Sequence, residues 1–311
     1  MNMPEYYLSV DGGGTKTAFL LQSGDGTRTI RARSGPASIK SVGETAAREN
    51  LAAGLEELWR QAGFGPEGVA HSVFGLSGCD SVNDERTLAN VIETLGFPAG
   101  QYTLCNDAVL AFYAAAEPPG MVLIAGTGSI VVGVDSRGNF TRAGGWGYGF
   151  SDLGSGYWLG CRALQEALRY CDGCGPWAPW FPEVAKVLGA ESLDRLTEAA
   201  ADINQCDQVA ALAKVLLTWP EPDSLGNDIL EQGSRFLAEL LVACDQKMAH
   251  MPGETPHLVL AGGCMGSARY ADMVTCRLPA RLRDGLTAEV CEPVQGGIRL
   301  AKRAAEKTAA R

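Results

Sequence analysis

Hydrophobic and polar residues alternate along the first 35 residues as they do in β-strands. The runs YYLSV, TKTAFLLQ and RTIRARSG are separated by glycine-rich segments, and an Asp-Gly pair marks the second turn. We predict three short strands in antiparallel order. The period then changes, because the apolar residues of VGETAARENLAAGLEELWRQAG recur at helical intervals as far as Gly63. A helix that ends at this glycine is therefore expected.

The next segments alternate between strand and helix patterns. VAHSVFGLSG and YTLCND predict two further strands, and NDERTLANVIETLG predicts a helix between them with Asn83 as its N-cap. The pattern then restarts in MVLIAGTGSIVVGVDSRGNF. Gly14 precedes Gly26 by twelve residues, and Gly126 precedes Gly138 by the same twelve. We therefore predict a duplicated α/β fold in which helices cover mixed sheets.

Composition and charge limit the function classes. The chain has 311 residues, of which 46% are hydrophobic, and this length favours two domains. Its 36 acidic and 26 basic residues give a net charge of −10, which does not favour nucleic acid or an anionic membrane as a partner. The N-terminus lacks a signal-peptide pattern, and the longest apolar run is too short to span a membrane. We predict a cytoplasmic protein.

The ten cysteines of such a chain are expected to be reduced thiols. Cys171 and Cys174 have C-x-x-C spacing, and Cys161 lies ten residues before Cys171. A zinc site of this kind takes four ligands, yet no second C-x-x-C follows and the three histidines are scattered. We favour free thiols beside a helix, and metal binding stays open as the weaker alternative.

Both predicted hairpins place glycines beside hydroxyl side chains, in DGGGTKT and in AGTGS. Such a turn is most often only a turn, but two of them could hold one polyphosphate, since glycine lets phosphate oxygens reach main-chain N–H groups. Neither is a Walker loop. Asp11 lies beside the first turn and would be repelled by a triphosphate unless Mg²⁺ lay between them, usually through water.

Several motifs in order resemble the N-acetylglucosamine and glucosamine kinases, in the BadF/BadG-type branch of the actin, sugar-kinase and heat-shock-chaperone ATPase superfamily. The motifs are DGGGTKT (11–17), CNDA (105–108), AGTGS (125–129), GGWGYGFSDLGSGYWLG (144–160), LAGGC (260–264) and EPVQGGIRLA (292–301). The resemblance implies two facing, duplicated domains of the actin-like, ribonuclease H-like type with a cleft between them. It further implies ATP and Mg²⁺ as cofactors, and a homodimer. The expected domains are 1–118, with the final helix 294–311 packed back on it, and 119–293.

The resemblance also implies roles for individual residues. Asp107 would be the general base that takes a proton from a sugar hydroxyl, although Asn106 or Asp107 could equally be a helix N-cap. Asp11 would hold the Mg²⁺. ATP would bind Gly12, Gly13, Gly14, Thr15, Lys16, Thr17, Gly126, Thr127, Gly128, Ser129, Gly262 and Gly263. The sugar would contact Ser38, Asn106, Asp107, Thr127, Gly144, Gly145, Trp146 and Asp152.

The segment AGGWGYGFSDLGSGYWLG is expected to be irregular until about Ser155 and, by the resemblance, to surround the sugar. Trp146 would fix this loop, and Asp152 would accept a hydrogen bond from a ring hydroxyl. The alternative is that Trp146 and Tyr148 only anchor the loop in the core, and for Trp158 this structural role is favoured.

Two positions depart from the family pattern. Ser38 stands where an Asn is frequent, and Leu153 stands where an acidic residue is frequent. We predict ATP-dependent phosphorylation of an amino sugar, most readily N-acetylglucosamine at its 6-hydroxyl, with glucosamine or another hexosamine as the alternative. A more distant alternative is an ATPase activator of a 2-hydroxyacyl-CoA dehydratase, although the cysteine context of such activators is missing.

Overall fold

The computed structural model describes residues 5–220, 223–251, 253–287 and 292–309. The strands are β1 (Tyr6–Gly12), β2 (Thr17–Ser23), β3 (Thr29–Ser34), β4 (Val69–Leu76), β5 (Tyr102–Cys105), β6 (Gly120–Ala125), β7 (Ser129–Val134), β8 (Phe140–Gly144) and β9 (His257–Ala261). The α-helices are α1 (Ile39–Ala62), α2 (Val82–Thr94), α3 (Asp107–Ala115), α4 (Gly156–Cys171), α5 (Phe181–Val187), α6 (Leu196–Ala201), α7 (Cys206–Ala211), α8 (Ala213–Thr218), α9 (Ser224–Lys247), α10 (Ala268–Thr275), α11 (Ala280–Asp284) and α12 (Pro293–Ala309).

The chain forms two compact units. One contains the described residues up to Glu117 together with α12, and the other runs from Pro118 to Thr287. The sheet of the first unit has the order β3-β2-β1-β4-β5, and the sheet of the second has the order β8-β7-β6-β9. In each, three antiparallel strands are followed by a strand parallel to the first of them. The two units thus share one strand topology.

Helices cover the first sheet because their apolar residues face it. Leu51, Leu55 and Leu58 of α1 are buried in one core with Phe19 of β2, and Ala47 of the same helix is also buried. Burial of a leucine of this kind contributes roughly 1.5–3 kcal/mol to folding. The helix ends at Gly63, which has the left-handed conformation (φ 82°) expected of a glycine C-cap. The predicted helix end is therefore confirmed.

Two adjacent glycines let α12 lie close to the first unit. A Cβ atom at Gly296 would lie 2.0 Å from the carbonyl oxygen of Leu110 in α3. A Cβ atom at Gly297 would lie 2.0 Å from the hydroxyl of Ser9 in β1. Larger side chains at either position would force the helix away from its neighbours. Residues 310–311 of the expected terminal helix lie outside the described residues.

The first turns of two helices differ from a regular pattern. The N-cap of α2 is Ser81 rather than the predicted Asn83, because the Ser81 backbone is extended and its side chain accepts a hydrogen bond from the Asp84 N–H. Asn83 lies inside the first turn instead. In α1, Gly43 has φ 79° and ψ 165°, which separates the turn at Ile39–Val42 from the rest of the helix.

The core of the second unit is formed by helices α4, α5 and α9 against its sheet. Trp180 and Phe181 at the start of α5 are completely buried there, with Leu159 of α4 and Leu237 of α9. Ser155 caps α4 by accepting a hydrogen bond from a backbone N–H, so the helix begins where the sequence predicted. Within the part of the chain that the structure describes, no helix is both long and apolar enough to cross a membrane.

Candidate active site

Three aspartates mark the carboxyl ends of the parallel strands of the first unit. Asp11 is the penultimate residue of β1, Asp80 follows the end of β4 by four residues, and Asp107 begins α3 just after β5. The carboxyl ends of parallel strands lie at one edge of a sheet, which is where ligands bind in α/β folds. The sequence analysis selected Asp11 and Asp107 but not Asp80. The rule used for Asp107, a carboxylate close after a strand, does not reach Asp80, which lies farther from its strand.

The carboxyl groups of Asp11 and Asp107 both have raised pKa values. Burial raises the pKa of Asp107 to about 7, and the charges of Asp11 and Asp80 contribute to the increase, while the Ala108 N–H opposes it. Burial likewise raises the pKa of Asp11 to about 6, an effect that the charge of Lys16 reduces. Asp107 can therefore change its protonation state near neutral pH, as a general base must.

The cap of α3 is Asn106. Its backbone is extended, and its Oδ1 atom accepts a hydrogen bond from the Ala108 N–H at 3.0 Å. Asp107 Oδ1 accepts from the same N–H at 3.0 Å. Of the two residues that could have been the cap, Asn106 takes that position, and Asp107 lies in the first turn, where the helix dipole stabilises negative charge.

Ser38 lies at the start of α1 and is buried. It accepts a hydrogen bond from the Ser41 hydroxyl at 3.3 Å. A Cβ atom at Gly78 would lie 3.5 Å from the Ser38 hydroxyl, so residue 38 contacts the segment that leads from β4 to Asp80. Like Asn106 and Asp107, Ser38 belongs to the first unit, whereas the remaining predicted sugar contacts belong to the second.

The first glycine-rich turn is held by its own backbone, since the Gly13 N–H donates to the Lys16 carbonyl at 3.0 Å. Gly12 is required by packing, because a Cβ atom there would lie 2.5 Å from Leu76 Cδ2. Thr17 is buried and donates to the Gly35 carbonyl at 2.7 Å, so this hydroxyl has a partner within the protein. Gly14, Thr15 and Lys16 form the exposed tip of the turn.

The second turn differs in what its glycines face. The Gly126 N–H donates to the Gly128 carbonyl at 2.9 Å. A Cβ atom at Gly128 would lie 2.6 Å from Asp152 Oδ2, whereas a Cβ atom at Gly126 would have no heavy atom within 4 Å. The Ser129 hydroxyl donates to the Leu153 carbonyl at 3.2 Å, and the Thr127 hydroxyl donates to Asp207 Oδ1 at 3.0 Å.

A cavity of about 810 Å³ opens beside this second turn. Its volume lies in the range of small-molecule sites. It is lined by Gly126, Thr127, Gly156, Asp207, Ala210, Ala211, Ala213, Lys214, Leu217, Thr218, Gly263, Cys264, Gly266 and Ser267. Sequence reasoning missed the contributions of α7 and α8, although Lys214 is the single charged residue of the apolar segment ALAKVLLT.

The surroundings of the glycines in and beside this cavity indicate whether a nucleotide could bind there. Gly262 is explained by the fold, because its φ is 89° and a Cβ atom would lie 2.5 Å from the Ala125 carbonyl. Gly126 and Gly263 have neither a left-handed φ nor any atom within 4 Å of a Cβ position, and both line the cavity. Bare backbone with open space in front of it fits a ligand that approaches the main chain, as phosphate and adenosine do.

A second cavity of the same unit, of about 690 Å³, is lined mainly by α5, α6 and the segment between them, including Glu191, Arg195 and Asp202. It contains none of the predicted site residues.

The loop after β8 presents aromatic residues to solvent. Trp146 is 72% exposed and Tyr148 is 52% exposed, so the alternative that they anchor the loop in the core is wrong. The Arg142 guanidinium lies 3.9 Å from the centre of the Trp146 ring, a cation–π contact that holds this side chain. Trp158 instead packs against Phe236 at 5.7 Å, and the structural role favoured for it is confirmed.

Asp152 has an unusual backbone at the end of this loop. Its φ is 54°, the one left-handed conformation of a non-glycine residue in the described ranges, and its side chain is buried. Asp tolerates this conformation better than most residues, but it costs free energy of the order of 1 kcal/mol. Such strain is frequent at functional sites, which fits the predicted contact of this carboxylate with the sugar. Gly144 and Gly145 also have positive φ, 74° and 72°.

The donor set of the first unit suits a magnesium ion. Mg²⁺ typically takes one or two carboxylates and keeps several waters. Asp11 provides a carboxylate whose negative charge is destabilised by burial and in turn raises the pKa of Asp107, so a cation there would be favourable. Among the described residues no group of three or more His, Cys, Asp or Glu side chains forms a protein-only metal site. The described cysteines are free thiols, Cys161, Cys171 and Cys174 among them.

The shared strand order, the two glycine turns and the carboxylates at the sheet edge define a two-domain α/β ATPase of the actin-like class. The chain belongs to the BadF/BadG/BcrA/BcrD ATPase family, whose sequence model matches residues 8–290. Use of ATP is a property of this family. The predicted duplicated α/β fold of the actin-like type and the family resemblance are both confirmed.

Relatives of this chain carry sugar-kinase names. It is 27% identical over 269 residues to the N-acetylmuramic acid/N-acetylglucosamine kinase of Clostridium acetobutylicum, covering 86% of this chain and 87% of that protein. It is 27% identical over 271 residues to the N-acetyl-D-glucosamine kinase of Dictyostelium discoideum, covering 83% and 85%. The solved structure of a provisionally named N-acetylglucosamine kinase from Chromobacterium violaceum is 26% identical, with a TM-score of 0.72 over 96% of this chain and 99% of that one.

Proposed function

We propose that the protein transfers the γ-phosphoryl group of ATP to a hydroxyl of an amino sugar, with N-acetylglucosamine as the first candidate and its 6-hydroxyl as the acceptor. The observation that carries the proposal is Asp107, a carboxyl at the end of a parallel strand with a pKa raised to about 7. The names of the relatives support the substrate class.

In this reaction Asp107 accepts the proton of the sugar hydroxyl as that oxygen attacks phosphorus. Phosphoryl transfer needs positioning and charge neutralisation, with little further chemistry from the protein. Main-chain N–H groups of the two glycine turns, 12–17 and 126–129, would donate to phosphate oxygens, whereas the Thr17, Thr127 and Ser129 hydroxyls already donate to protein acceptors. Mg²⁺, when bound at Asp11, would neutralise charge on the phosphates.

The acceptor is the part of the proposal with alternatives. Ser38 offers one hydroxyl where an Asn would offer an amide donor and an amide acceptor, and Leu153 removes a carboxylate that could bind an amino group. Glucosamine or another hexosamine therefore stays a candidate beside N-acetylglucosamine. The other residues proposed to contact the sugar are Asn106, Asp107, Thr127, Gly144, Gly145, Trp146 and Asp152.

The setting of the proposed enzyme follows from simpler features. Its many free thiols are typical of a reducing compartment, which supports a cytoplasmic location. A net charge of −10 supports a small-molecule substrate without nucleic-acid or membrane partners. The proposed homodimer is supported by the family resemblance alone.

A substrate screen tests the function. The purified protein is incubated with ATP, Mg²⁺ and a panel containing N-acetylglucosamine, glucosamine, N-acetylmannosamine, N-acetylmuramic acid and glucose, and the products are identified by mass. We expect a sugar monophosphate from N-acetylglucosamine at a rate above the rate of ATP hydrolysis without sugar. Phosphate release with no phosphorylated sugar would refute the kinase proposal and favour an activator-type ATPase.

The pH dependence of the reaction follows from the pKa of Asp107. A general base must be deprotonated, and a pKa of about 7 means that the active fraction falls about tenfold per pH unit below that value. We expect kcat/KM for the sugar to rise with pH and to level off by about pH 7 when measured at constant Mg²⁺. Mg²⁺ at Asp11 would offset the Asp11 charge that raises the Asp107 pKa, while burial would keep this pKa above the ordinary range of an Asp. A limb near pH 4, the ordinary range of an Asp, would contradict the assignment of the buried Asp107 carboxyl as the base.

A further inference from the structure

A row of polar contacts crosses the first unit from α1 to the first turn of α3. Lys40 Nζ donates to Asp80 Oδ2 at 2.6 Å, and Asn106 Nδ2 donates to Asp80 Oδ1 at 3.0 Å. Asn106 Oδ1 in turn accepts from the Ala108 N–H at 3.0 Å. Both carboxylate oxygens of Asp80 therefore have partners, and Asp80 connects Lys40 to the cap of α3.

The last contact in this row is shared with Asp107. Its Oδ1 atom accepts from the same Ala108 N–H, also at 3.0 Å. The Asn106 and Asp107 side-chain oxygens therefore share the Ala108 N–H as a donor. The strength of its hydrogen bond to the Asp107 carboxylate depends on the position of Asn106 Oδ1. The side-chain amide of Asn106 can rotate and exchange its oxygen and nitrogen. Asp80 favours one of these orientations, because a carboxylate only accepts hydrogen bonds.

We infer that Asp80 is a positioning residue that fixes the Asn106 amide and thereby the Asp107 carboxylate. The inference rests on the proposed function, in which Asp107 receives the proton. Without Asp80, Asn106 could turn its NH₂ group toward α3, and the Ala108 N–H would bind Asp107 alone and draw its carboxylate toward the helix. Displacement of a base by a fraction of an ångström lowers the rate of proton transfer more than it lowers substrate binding.

Comparison with the neighbouring Asp84 distinguishes the positioning role of Asp80 from the effect of an ion pair with Lys40 alone. Its Oδ2 atom lies 3.2 Å from Lys40 Nζ, so Asp80 and Asp84 share one cation. The other contacts of Asp84 are with Ser81, the cap of its own helix, and with the backbone N–H of Asp80, whereas the Asp80 side chain reaches Asn106. The Asp80 and Asp84 side chains are 13% and 20% exposed, respectively, so the two are comparable in burial. Asp84→Ala is therefore a matched control for Asp80→Ala.

Steady-state kinetics of the full-length protein test the inference, with Asp80→Ala, Asp84→Ala, Asn106→Ala and the Asp80→Ala/Asn106→Ala double variant. We expect Asp80→Ala to lower kcat about 10- to 100-fold while KM for ATP changes less than about threefold. Asp84→Ala should stay within about threefold of the wild type in kcat. The kinetics are measured at pH 8, above the Asp107 pKa of about 7, so that loss of the Asp80 charge does not change the protonation of the base. Under this condition Asp80 acts through Asn106, and the double variant should be no more than about twofold slower than Asn106→Ala.

Three results would overturn the inference. The first is a kcat of Asp80→Ala equal to that of the wild type. The second is an equal loss of kcat in Asp80→Ala and Asp84→Ala that parallels a fall in their melting temperatures. The third is a loss of kcat in the double variant equal to the product of the losses in the two single variants. The backbone amide ¹H shift of Ala108 gives a readout without catalysis. It should move in Asp80→Ala and stay in place in Asp84→Ala. If the wild type phosphorylates no sugar, the proposed function fails, and the Ala108 shift still decides whether Asp80 controls the cap.

Discussion

Asp107→Asn should lower kcat for sugar phosphorylation about 100- to 10,000-fold, the range that a positioned general base contributes. The substitution keeps the shape of the side chain, and an Asn oxygen can still accept the hydrogen bond from the Ala108 N–H that Asp107 Oδ1 accepts at 3.0 Å. It removes only the ability to take a proton. Affinity for ATP, measured by titration calorimetry with a non-hydrolysable analogue, should change less than about threefold. A variant that retains the wild-type kcat would exclude Asp107 as the base.

The same variant should be at least as stable as the wild type at alkaline pH. The pKa of Asp107 is about 7 in the folded protein against 3.8 for an unperturbed Asp, so the folded state binds the proton more tightly. By linkage, the contribution of this group to the free energy of unfolding is fully present below about pH 4 and is lost as the pH rises through about 7. An Asn at position 107 does not ionise, so the free energy of unfolding of the variant does not fall in this way as the pH rises. Equal or higher melting temperature at pH 8 would show that the loss of activity is not a loss of fold.

The sequence predicted strands β1 to β7, the end of α1 and the start of α4 because each has a clear period or an unambiguous terminator, whereas it gave no prediction for the helices between α4 and α12. Gly63 and Ser155 are examples, since a glycine C-cap and a serine N-cap are strong local signals. The cap of α2 was misplaced by two residues because Ser81, Asn83 and Asp84 are all good cap residues. Which of them has an extended backbone depends on the exit from β4, and this is not a local property of the sequence.

The site was predicted in part for a similar reason. Asp11 and Asp107 lie directly at strand ends, whereas Asp80 lies four residues beyond β4, where only the folded loop brings it to Asn106. The helices α7 and α8 that line the cavity are six residues each, too short for a helical period to reveal which face they present. The role of Lys214 in the wall of the cavity therefore could not be predicted from the sequence pattern.

The glycines of the two turns look equivalent in the sequence, but the structure gives them different physical roles. Gly12 is small because Leu76 packs against it, and Gly128 is small because Asp152 does. Gly126 and Gly263 have no such neighbour. A glycine in the interior of a fold is explained by the protein atoms around it, whereas a glycine with open space in front of it in a cavity is suited to a ligand that approaches the main chain. A side chain added at Gly126 should therefore leave the protein at least as stable but weaken its affinity for ATP.

Gly126→Ala should weaken ATP binding about 10- to 100-fold while leaving the protein as stable as the wild type or slightly more stable. The added methyl group meets no protein atom within 4 Å, and Gly126 does not have a left-handed φ, so the fold accepts it. Gly→Ala at such a position stabilises by about 0.4–1 kcal/mol, because it restricts the unfolded chain. The methyl group would instead overlap a nucleotide, and overpacking of this kind costs about 1–3 kcal/mol, equivalent to the stated change in affinity.

Gly149→Ala provides the matched control for this prediction. Gly149 also has no atom within 4 Å of a Cβ position and no left-handed φ, but it lies outside the cavity beside the second turn. Both variants should therefore have melting temperatures at or slightly above that of the wild type, and only Gly126→Ala should lose affinity for a non-hydrolysable ATP analogue in titration calorimetry. Equal affinities in the two variants would mean that the nucleotide does not approach the backbone at Gly126, and the cavity lined by α7 and α8 would then need another ligand.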